Sequence, residues 1–394
     1  MAVNDLSFSQ IATVLGSIQA QATGQAAVTA TNTSEFVVVA QNTLKMGYDP
    51  VMNAISQVLS RTIFSNRAYQ PKFAGLRMDA MRYGNHVRKL QPIDKPFEDD
   101  SRISLVDGAS VDMFTVNKPK AVQTNFYGES IYQKSLTVFR DQLDTAFSGP
   151  EEFAQFISMI MQNAADQIAQ AHENTARATV ANLIGGCIKI GGTQHFKLVT
   201  RWNEYTGNAD TWASIKAESV KFKEFVSWMY AEIKTLAGYM TERSALYHSN
   251  IYDGTQAVAI MRHTPLARMK AYILTEPLNQ IESNVFANIF NPEYLKLVDH
   301  EEVNFWQGLQ TPMDVHVNCN YYDSATGAIL SDEAHNDLVL GVLFDEEAAG
   351  YTTVNEWSAA SPFNAKGGYY NMFWHFTDRY YNDFTENCVV LTLE

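Results

Sequence analysis

The stretch HENTA, which begins at His172, contains residues whose types and spacing suggest metal chemistry. The helix of a zinc metalloprotease carries two histidines at positions i and i+4, with a glutamate after the first. Here the second of these positions is Ala176, so two imidazole ligands cannot face one zinc ion. The stretch is therefore interpreted as part of a helix without a metal site.

A second candidate is the acid and base cluster DHEE, from Asp299 to Glu302. Its adjacent groups could transfer protons, but successive side chains of a strand point to opposite faces, so neighbours are separated. A solvated strand end is the favoured interpretation.

A third candidate is the aromatic stretch GYYNMFWHFTDRYY, whose rings could stack on a sugar while Asp378 and Asp383 act as general acid and base. The alternation of its residues favours a core strand instead. One face would carry Tyr370, Met372, Trp374 and Phe376, and the other Phe373, His375 and Thr377. A carbohydrate-active hydrolase stays open as an alternative function.

Other catalytic signatures are absent from the sequence. It has no phosphate loop, dinucleotide fingerprint, nucleophile elbow or CxxC pair, so we expect neither a cofactor nor enzymatic activity. Three cysteines, Cys187, Cys319 and Cys388, are far apart and odd in number, which predicts unpaired core thiols in a reducing cytosol. We expect no metal cluster.

The composition of the whole chain limits the classes of partner. Its 394 residues, 46% of them hydrophobic, can bury large cores and predict two or three lobes. A net charge of -14 argues against a protein that grips nucleic-acid phosphates, because such surfaces need clustered Lys and Arg. The first residues lack a basic and apolar leader, and no run of apolar residues is long enough to span a bilayer. Neither a signal peptide nor a membrane partner is expected.

The elements that position these residues are organised around a long helix, predicted over residues 150–184. Gly149 and Pro150 suit its N-terminal cap and first position, and Gly185 with Gly186 suits its C-terminal cap. Roughly 35 residues at about 1.5 Å each give a rod of roughly 50 Å. An apolar stripe at spacings of three and four predicts one face packed on a core, with a coiled coil as the alternative. The stripe comprises Phe153, Phe156, Ile157, Ile160, Ala164, Ile168 and Ala171.

The N-terminal part is predicted to be an adaptable arm. Residues 1–34 are rich in Ala, Thr, Gln and Ser and contain no Lys or Arg. Asp49 and Pro50 then open a helix whose apolar residues are too few to bury it alone, so it should dock on the body or on a neighbouring chain.

Residues 70–128 predict a long two-stranded excursion. The flanks VRKL and KAVQTNFY alternate, and a turn is expected at Asp107 and Gly108. The excursion has no core of its own, so it should be ordered by packing against something else. A disordered surface loop is the alternative. Several residues between the flanks are too apolar for a solvated linker: Ile103, Leu105, Val106, Val111, Met113 and Phe114.

The remainder predicts an α+β body. We expect two short strands around Gly191 and Gly192, an amphipathic helix from Glu218 to Leu236, and strands at ALYHSN and LKLVDHEEV. Three C-terminal strands are predicted in DLVLGVLFDEEA, the aromatic stretch and NCVVLTLE.

This order of parts resembles the major capsid proteins of tailed bacteriophages, and most closely those of small podoviruses with short tails. The most specific portion runs from Phe126 to Ile160, where a strand containing Gly128 leads through SIYQKSLT into the long helix. A second portion is the aromatic strand from Gly368 to Phe376, followed by CVVLTL. The resemblance implies the HK97-like phage capsid fold.

The resemblance also implies a division of the chain. Residues 1–66 would be an N-terminal arm and 75–128 an extended β-hairpin loop. Residues 129–213 and 343–394 would form a peripheral domain, with the long helix as its spine and one sheet including 369–394 beneath it. Residues 214–342 would form an axial domain. Candidate residues at the contacts between subunits are Arg88, Lys89, Ile103, Leu105, Val111, Phe114, Lys118 and Lys120.

The implied function is that of a structural subunit which assembles with itself into pentamers and hexamers of an icosahedral shell around double-stranded DNA. A separate scaffolding protein is expected, because no scaffolding segment is recognised before the arm, and a portal protein is a further expected partner. Assembly would take place in the host bacterial cytoplasm. Some relatives cross-link through a loop lysine, but exposed lysines are the simpler interpretation of Lys89, Lys95, Lys118 and Lys120. An encapsulin-like nanocompartment shell is the alternative of related class.

Overall fold

The computed structural model describes residues 7–61, 72–78, 87–93, 99–108, 110–114, 116, 118, 120–276, 279 and 300–394. The helices in these ranges are α1 (Phe8–Thr23), α2 (Thr33–Lys45), α3 (Tyr48–Arg61), α4 (Arg140–Ala146), α5 (Pro150–Ile190), α6 (Leu198–Thr206), α7 (Trp212–Ala217) and α8 (Ser219–Thr241). The first seven strands are β1 (Val87–Ile93), β2 (Lys120–Phe126), β3 (Gly128–Phe139), β4 (His195–Lys197), β5 (Ile251–Tyr252), β6 (Ala257–Val258) and β7 (Met269–Leu274). The others are β8 (Glu301–Val303), β9 (Val315–Tyr322), β10 (Ile329–Asn336), β11 (Val339–Asp345), β12 (Ala349–Ala360), β13 (Tyr369–Asn382) and β14 (Cys388–Thr392).

Helix α5 begins where the sequence predicts, with Gly149 in an extended conformation before Pro150. Its predicted end is wrong. The helix passes through Gly185 and Gly186 and ends at Ile190, after 41 residues, where Gly191 takes the left-handed φ of 69°. At about 1.5 Å per residue it is roughly 60 Å long.

The first sheet lies under the N-terminal and central part of α5 and has the strand order β12-β13-β3, all antiparallel. Side chains of β13 alternate as the sequence predicts, so that Met372 and Trp374 are buried while Phe373 and His375 are half-exposed. The first sheet is joined to α5 by a hydrogen bond of 2.6 Å between the hydroxyls of Tyr132 and Thr175.

A second sheet has the order β4-β14-β11-β7-β8 and is covered on both faces. Ile273, Leu343 and Leu391 face α6, α7 and α8, whereas Leu274 and Phe344 face the C-terminal part of α5. Double burial explains the nearly continuous apolar runs of β11 and β14, since no position of such a strand faces water. The expectation of one sheet containing all of residues 369–394 is wrong, because β14 pairs with β11 and β4 rather than with β13.

The N-terminal helices pack on the rest of their own chain. Leu15, Phe36 and Ile55 are fully buried in a core that they share with Phe153 of α5 and Met372 of β13. The rings of Phe36 and Phe153 meet edge to face with centroids 5.7 Å apart. Helix α3, which the sequence predicts to dock on the body or on a neighbouring chain, is therefore buried against the body of its own chain.

Other local predictions have mixed outcomes. The helix expected from Glu218 is confirmed as α8, and the C-terminal strands as β11, β13 and β14. The two strands expected around Gly191 and Gly192 are wrong, since the residues before them belong to α5 and only His195–Lys197 after them forms a strand. ALYHSN is buried in part but is not a strand. The first part of LKLVDHEEV lies outside the described residues, and its end forms β8.

Candidate functional site

The predicted two-stranded excursion is a hairpin in which β1 pairs with β2 antiparallel, from Val87 opposite Phe126 to Ile93 opposite Lys120. These two strands pair with each other and with no other strand of the described chain. The expected turn is confirmed at Asp107 and Gly108, where Gly108 has a φ of 83° that favours glycine.

The described residues of the hairpin tip, which spans 99–118, include seven exposed apolar side chains. Hydrogen bonds shape it locally, because Asp100 accepts one from the backbone N–H of Arg102 at 3.0 Å, and Asp112 accepts one from that of Phe114 at 2.9 Å. Every apolar side chain described here is more than half exposed: Ile103 (85%), Leu105 (53%), Val106 (71%), Val111 (51%), Met113 (81%), Phe114 (80%) and Val116 (77%). Exposed apolar side chains concentrated in one segment in this way are typical of an interaction site.

The hairpin root, Val87–Gln91 with the paired end of β2, is instead held to the body by polar and charged contacts that are partly buried. The ammonium of Lys89 lies 2.7 Å from Asp383 Oδ2 and 2.6 Å from Glu386 Oε1. Burial opposes the charge of Lys89, but the two carboxylates outweigh it and raise the pKa of Lys89 above its usual value. The amide of Gln91, which is 3% exposed, donates a 3.0 Å hydrogen bond to Thr385 Oγ1.

The eight candidate contact residues therefore fall into different environments. Ile103, Leu105, Val111 and Phe114 are exposed on the tip. Lys118 is exposed at the end of the tip, and Arg88 is exposed on the root. Lys120 is largely exposed and lies 3.4 Å from Asp253 Oδ2. Lys89 is held within its own chain, and Lys95 lies outside the described residues. No sequence pattern links Lys89 with Asp383 and Glu386, which lie 294 and 297 positions further along the chain.

The candidate chemical groups serve structural contacts. His172 Nδ1 lies 2.7 Å from Asp378 Oδ2, and Thr353 donates to the other oxygen of that fully buried carboxylate at 2.9 Å. Trp374 is 4% exposed, which confirms the predicted core strand at this residue and leaves its ring no accessible face for a sugar, the alternative interpretation. Asp383 is 3% exposed and bound to Lys89.

The other expectations concern thiols, metals and membranes. All three cysteines are buried free thiols, with Cys187 Sγ 3.5 Å from Cys388 Sγ, and burial raises the pKa of Cys187. Among the residues that the structure describes, no group of three or more His, Cys, Asp and Glu could hold a metal ion. No helix within the described ranges is long and apolar enough to cross a membrane.

Comparison with solved structures places this fold among phage capsids. The chain is similar to a structure described as the capsid of Staphylococcus phage Andhra, at 12% identity and a TM-score of 0.54, covering 84% of this chain and 87% of that chain. The same values hold for a chain in a structure of the head fiber and inner core protein gp22 of native bacteriophage P68. These similarities confirm the HK97-like phage capsid fold. No curated protein sequence matches.

The family comparison goes further than the fold. The family described as Phi29-like phage major capsid protein matches residues 13–392. The chain belongs to this family and is a structural protein of the virion shell that assembles with copies of itself.

Proposed function

We propose that this protein assembles into pentamers and hexamers of an icosahedral shell of a short-tailed phage, and that the hairpin tip docks on a neighbouring copy. The observation that carries the proposal is the exposure of the tip, where Ile103 and Phe114 are 85% and 80% exposed. Fully burying one such side chain is worth about 1.5–3 kcal/mol, so several of them covered together would supply a large part of a subunit contact.

The elements support a division into two domains, although a boundary at residue 342 would fall inside β11 (Val339–Asp345). The first sheet with the N-terminal and central part of α5 would form the peripheral domain. The second sheet with α6, α7 and α8 would form the axial domain, which includes most of residues 214–342 and meets its copies around the five-fold and six-fold axes. The N-terminal arm, residues 1–66, would add contacts through its outer surface, where Val38 is 56% and Met46 52% exposed.

A double substitution of the tip tests this proposal. Ile103→Asn with Phe114→Asn removes two exposed apolar side chains, so it should leave the thermal midpoint of the unassembled subunit unchanged and strongly reduce closed shells. Electron microscopy and sedimentation velocity measure the shells. The matched control is Ser110→Asn, which introduces the same residue at an exposed polar position of the tip and should assemble normally. Normal shells from the double variant would contradict the proposal.

The shell would enclose double-stranded DNA without sequence-specific binding, since a subunit charge of -14 repels phosphate. We infer that a separate scaffolding protein and a portal protein take part in assembly in the host cytoplasm, and that the shell subunit has no enzymatic activity of its own. Nuclease-protected DNA in purified particles would support the viral function. Particles that hold a protein cargo and no nucleic acid would instead indicate a nanocompartment.

A further inference from the structure

The hairpin root meets the body through a cluster of charges that is mostly removed from water. The side chain of Lys89 is 19% exposed, and those of Asp383 and Glu386 are 3% and 10% exposed. Glu347 lies 3.7 Å from the same ammonium, and Arg262 Nη2 lies 3.3 Å from Glu386 Oε1. One lysine of the hairpin thus satisfies carboxylates from two separate segments of the body.

The carboxylates are themselves fixed in position. Asp383 Oδ1 accepts hydrogen bonds from the backbone N–H and the hydroxyl of Thr385, at 2.9 and 2.6 Å. Arg262 Nε donates to the carbonyl oxygen of Thr385 at 3.2 Å. These hydrogen bonds hold the turn that joins β13 to β14 so that its carboxylates are in position to bind Lys89.

Two neighbouring contacts extend this attachment. Gln91, two residues along the same face of β1, binds Thr385 of the same turn. Phe126, at the paired end of β2, packs on Tyr381 with ring centroids 5.1 Å apart. Both strands of the hairpin are thus held to one short region of the body.

Side chains at the root help to set the direction of the hairpin. In the described chain, strands β1 and β2 have ladder hydrogen bonds only with each other, and β2 is joined to β3 of the first sheet through Tyr127 alone. The side-chain contacts of the root therefore hold the hairpin against rotation about this junction. The tip, by contrast, is exposed and gives no such support. A rigid arm fixed at its root reduces the conformational entropy that a docking segment loses on binding.

We propose that Lys89 is a positioning residue for assembly, which with Asp383 and Glu386 holds the hairpin root so that the tip is presented to a second copy of the chain. This inference rests on the proposed docking of the tip, and it assigns to Lys89 an intramolecular function rather than a direct contact with the neighbour.

Lys89→Met tests the inference in the full-length, unassembled subunit. It leaves two buried carboxylates without their main partner, so amides of β1 and β2 should exchange with solvent on the order of a hundredfold faster, while those of the second sheet keep their rates. Shell formation should slow by at least about tenfold as the tip samples other directions. Lys366→Met is the matched control, because it removes the same charge at an exposed position outside the hairpin, in the connection between β12 and β13, and both rates should stay at wild-type values.

Two further variants keep the test decisive. Lys89→Arg retains the charge and should restore much of the protection and of the assembly rate. Gln91→Ala removes the hydrogen bond from the root to Thr385 without leaving an unpaired charge. If Lys89→Met does not fold, this variant replaces it, and faster exchange of β1 and β2 is again the expected result. Unchanged exchange in β1 and β2 would overturn the anchoring role.

Faster exchange with normal assembly would overturn the positioning role, provided that the variant with Ile103→Asn and Phe114→Asn fails to form shells. If that tip variant also assembles normally, the docking of the tip is wrong, and the positioning role that rests on it is overturned as well.

Discussion

At the scale of single residues, Gly185 and Gly186 determine how closely α5 approaches the elements packed on it. A Cβ atom on Gly185 would lie 2.7 Å from Val317 Cγ1, and one on Gly186 would lie 2.2 Å from Phe384 Cζ. Carbon atoms attract each other best at about 3.5–4.0 Å, so both positions lack room for a methyl group. Their backbone is helical, and the glycines are needed for their small size.

Gly186→Ala should lower the thermal midpoint of the unassembled subunit. Overpacking against the buried ring of Phe384 costs about 1–3 kcal/mol, and the better helix propensity of alanine returns at most about 1 kcal/mol of this. Calorimetry or circular dichroism measures the midpoint. The matched control is Gly238→Ala in α8, where an added Cβ would have no neighbour within 4 Å, so this variant should be slightly more stable than the wild type. An equal rise of the thermal midpoint in both variants would contradict the close approach at Gly186.

At the scale of elements, α5 links two cores that are otherwise built by different parts of the chain. Phe153 and Ile157 belong to the core with the N-terminal helices and the first sheet. Val180 and Ile184, several turns later, belong to the core with the second sheet. The helix must stay continuous between them, since its rigidity fixes the spacing of the two sheets.

Ala178→Pro interrupts the helix where it leaves the first sheet for the second. Ala178 is exposed, so the substitution acts on the backbone, where it removes one hydrogen bond and places the ring against the preceding turn at a cost of about 3 kcal/mol or more. Denaturant unfolding should show this loss. Ala178→Ser keeps the backbone N–H and should cost only about 0.5 kcal/mol. A proline variant as stable as the serine variant would show that the helix tolerates a break there.

The same elements show what the sequence could predict. The start of α5, the alternation of β13 and the apolar tip of the hairpin follow from local spacing, and the structure confirms all three. The predicted end of α5 is wrong because a pair of glycines can permit close packing as well as end a helix. The residues that they approach, Val317 and Phe384, lie far along the chain, so local spacing does not reveal the contact. The contacts of Lys89 with Asp383 and Glu386 are likewise not predictable from local spacing, because these residues are distant in sequence.

At the scale of the whole molecule, charge and apolar surface act against each other. Each subunit carries a formal charge of -14, so copies repel one another as they approach. The exposed tip supplies an attraction that does not depend on charge and becomes effective only at contact. Assembly therefore requires that the repulsion be screened or neutralised before the tip can dock.

Added salt should therefore accelerate shell formation by the purified subunit. Raising sodium chloride from about 10 mM to about 150 mM shortens the screening length from about 30 Å to about 8 Å, which weakens repulsion between whole subunits while leaving apolar contact intact. Light scattering follows the assembly rate, with sucrose of equal osmolality as the control. The Ile103→Asn and Phe114→Asn variant should gain little from salt, since screening removes repulsion without restoring the apolar contact. A wild-type rate that falls as salt rises would mean that opposite charges across the subunit contacts, rather than apolar docking of the tip, dominate assembly.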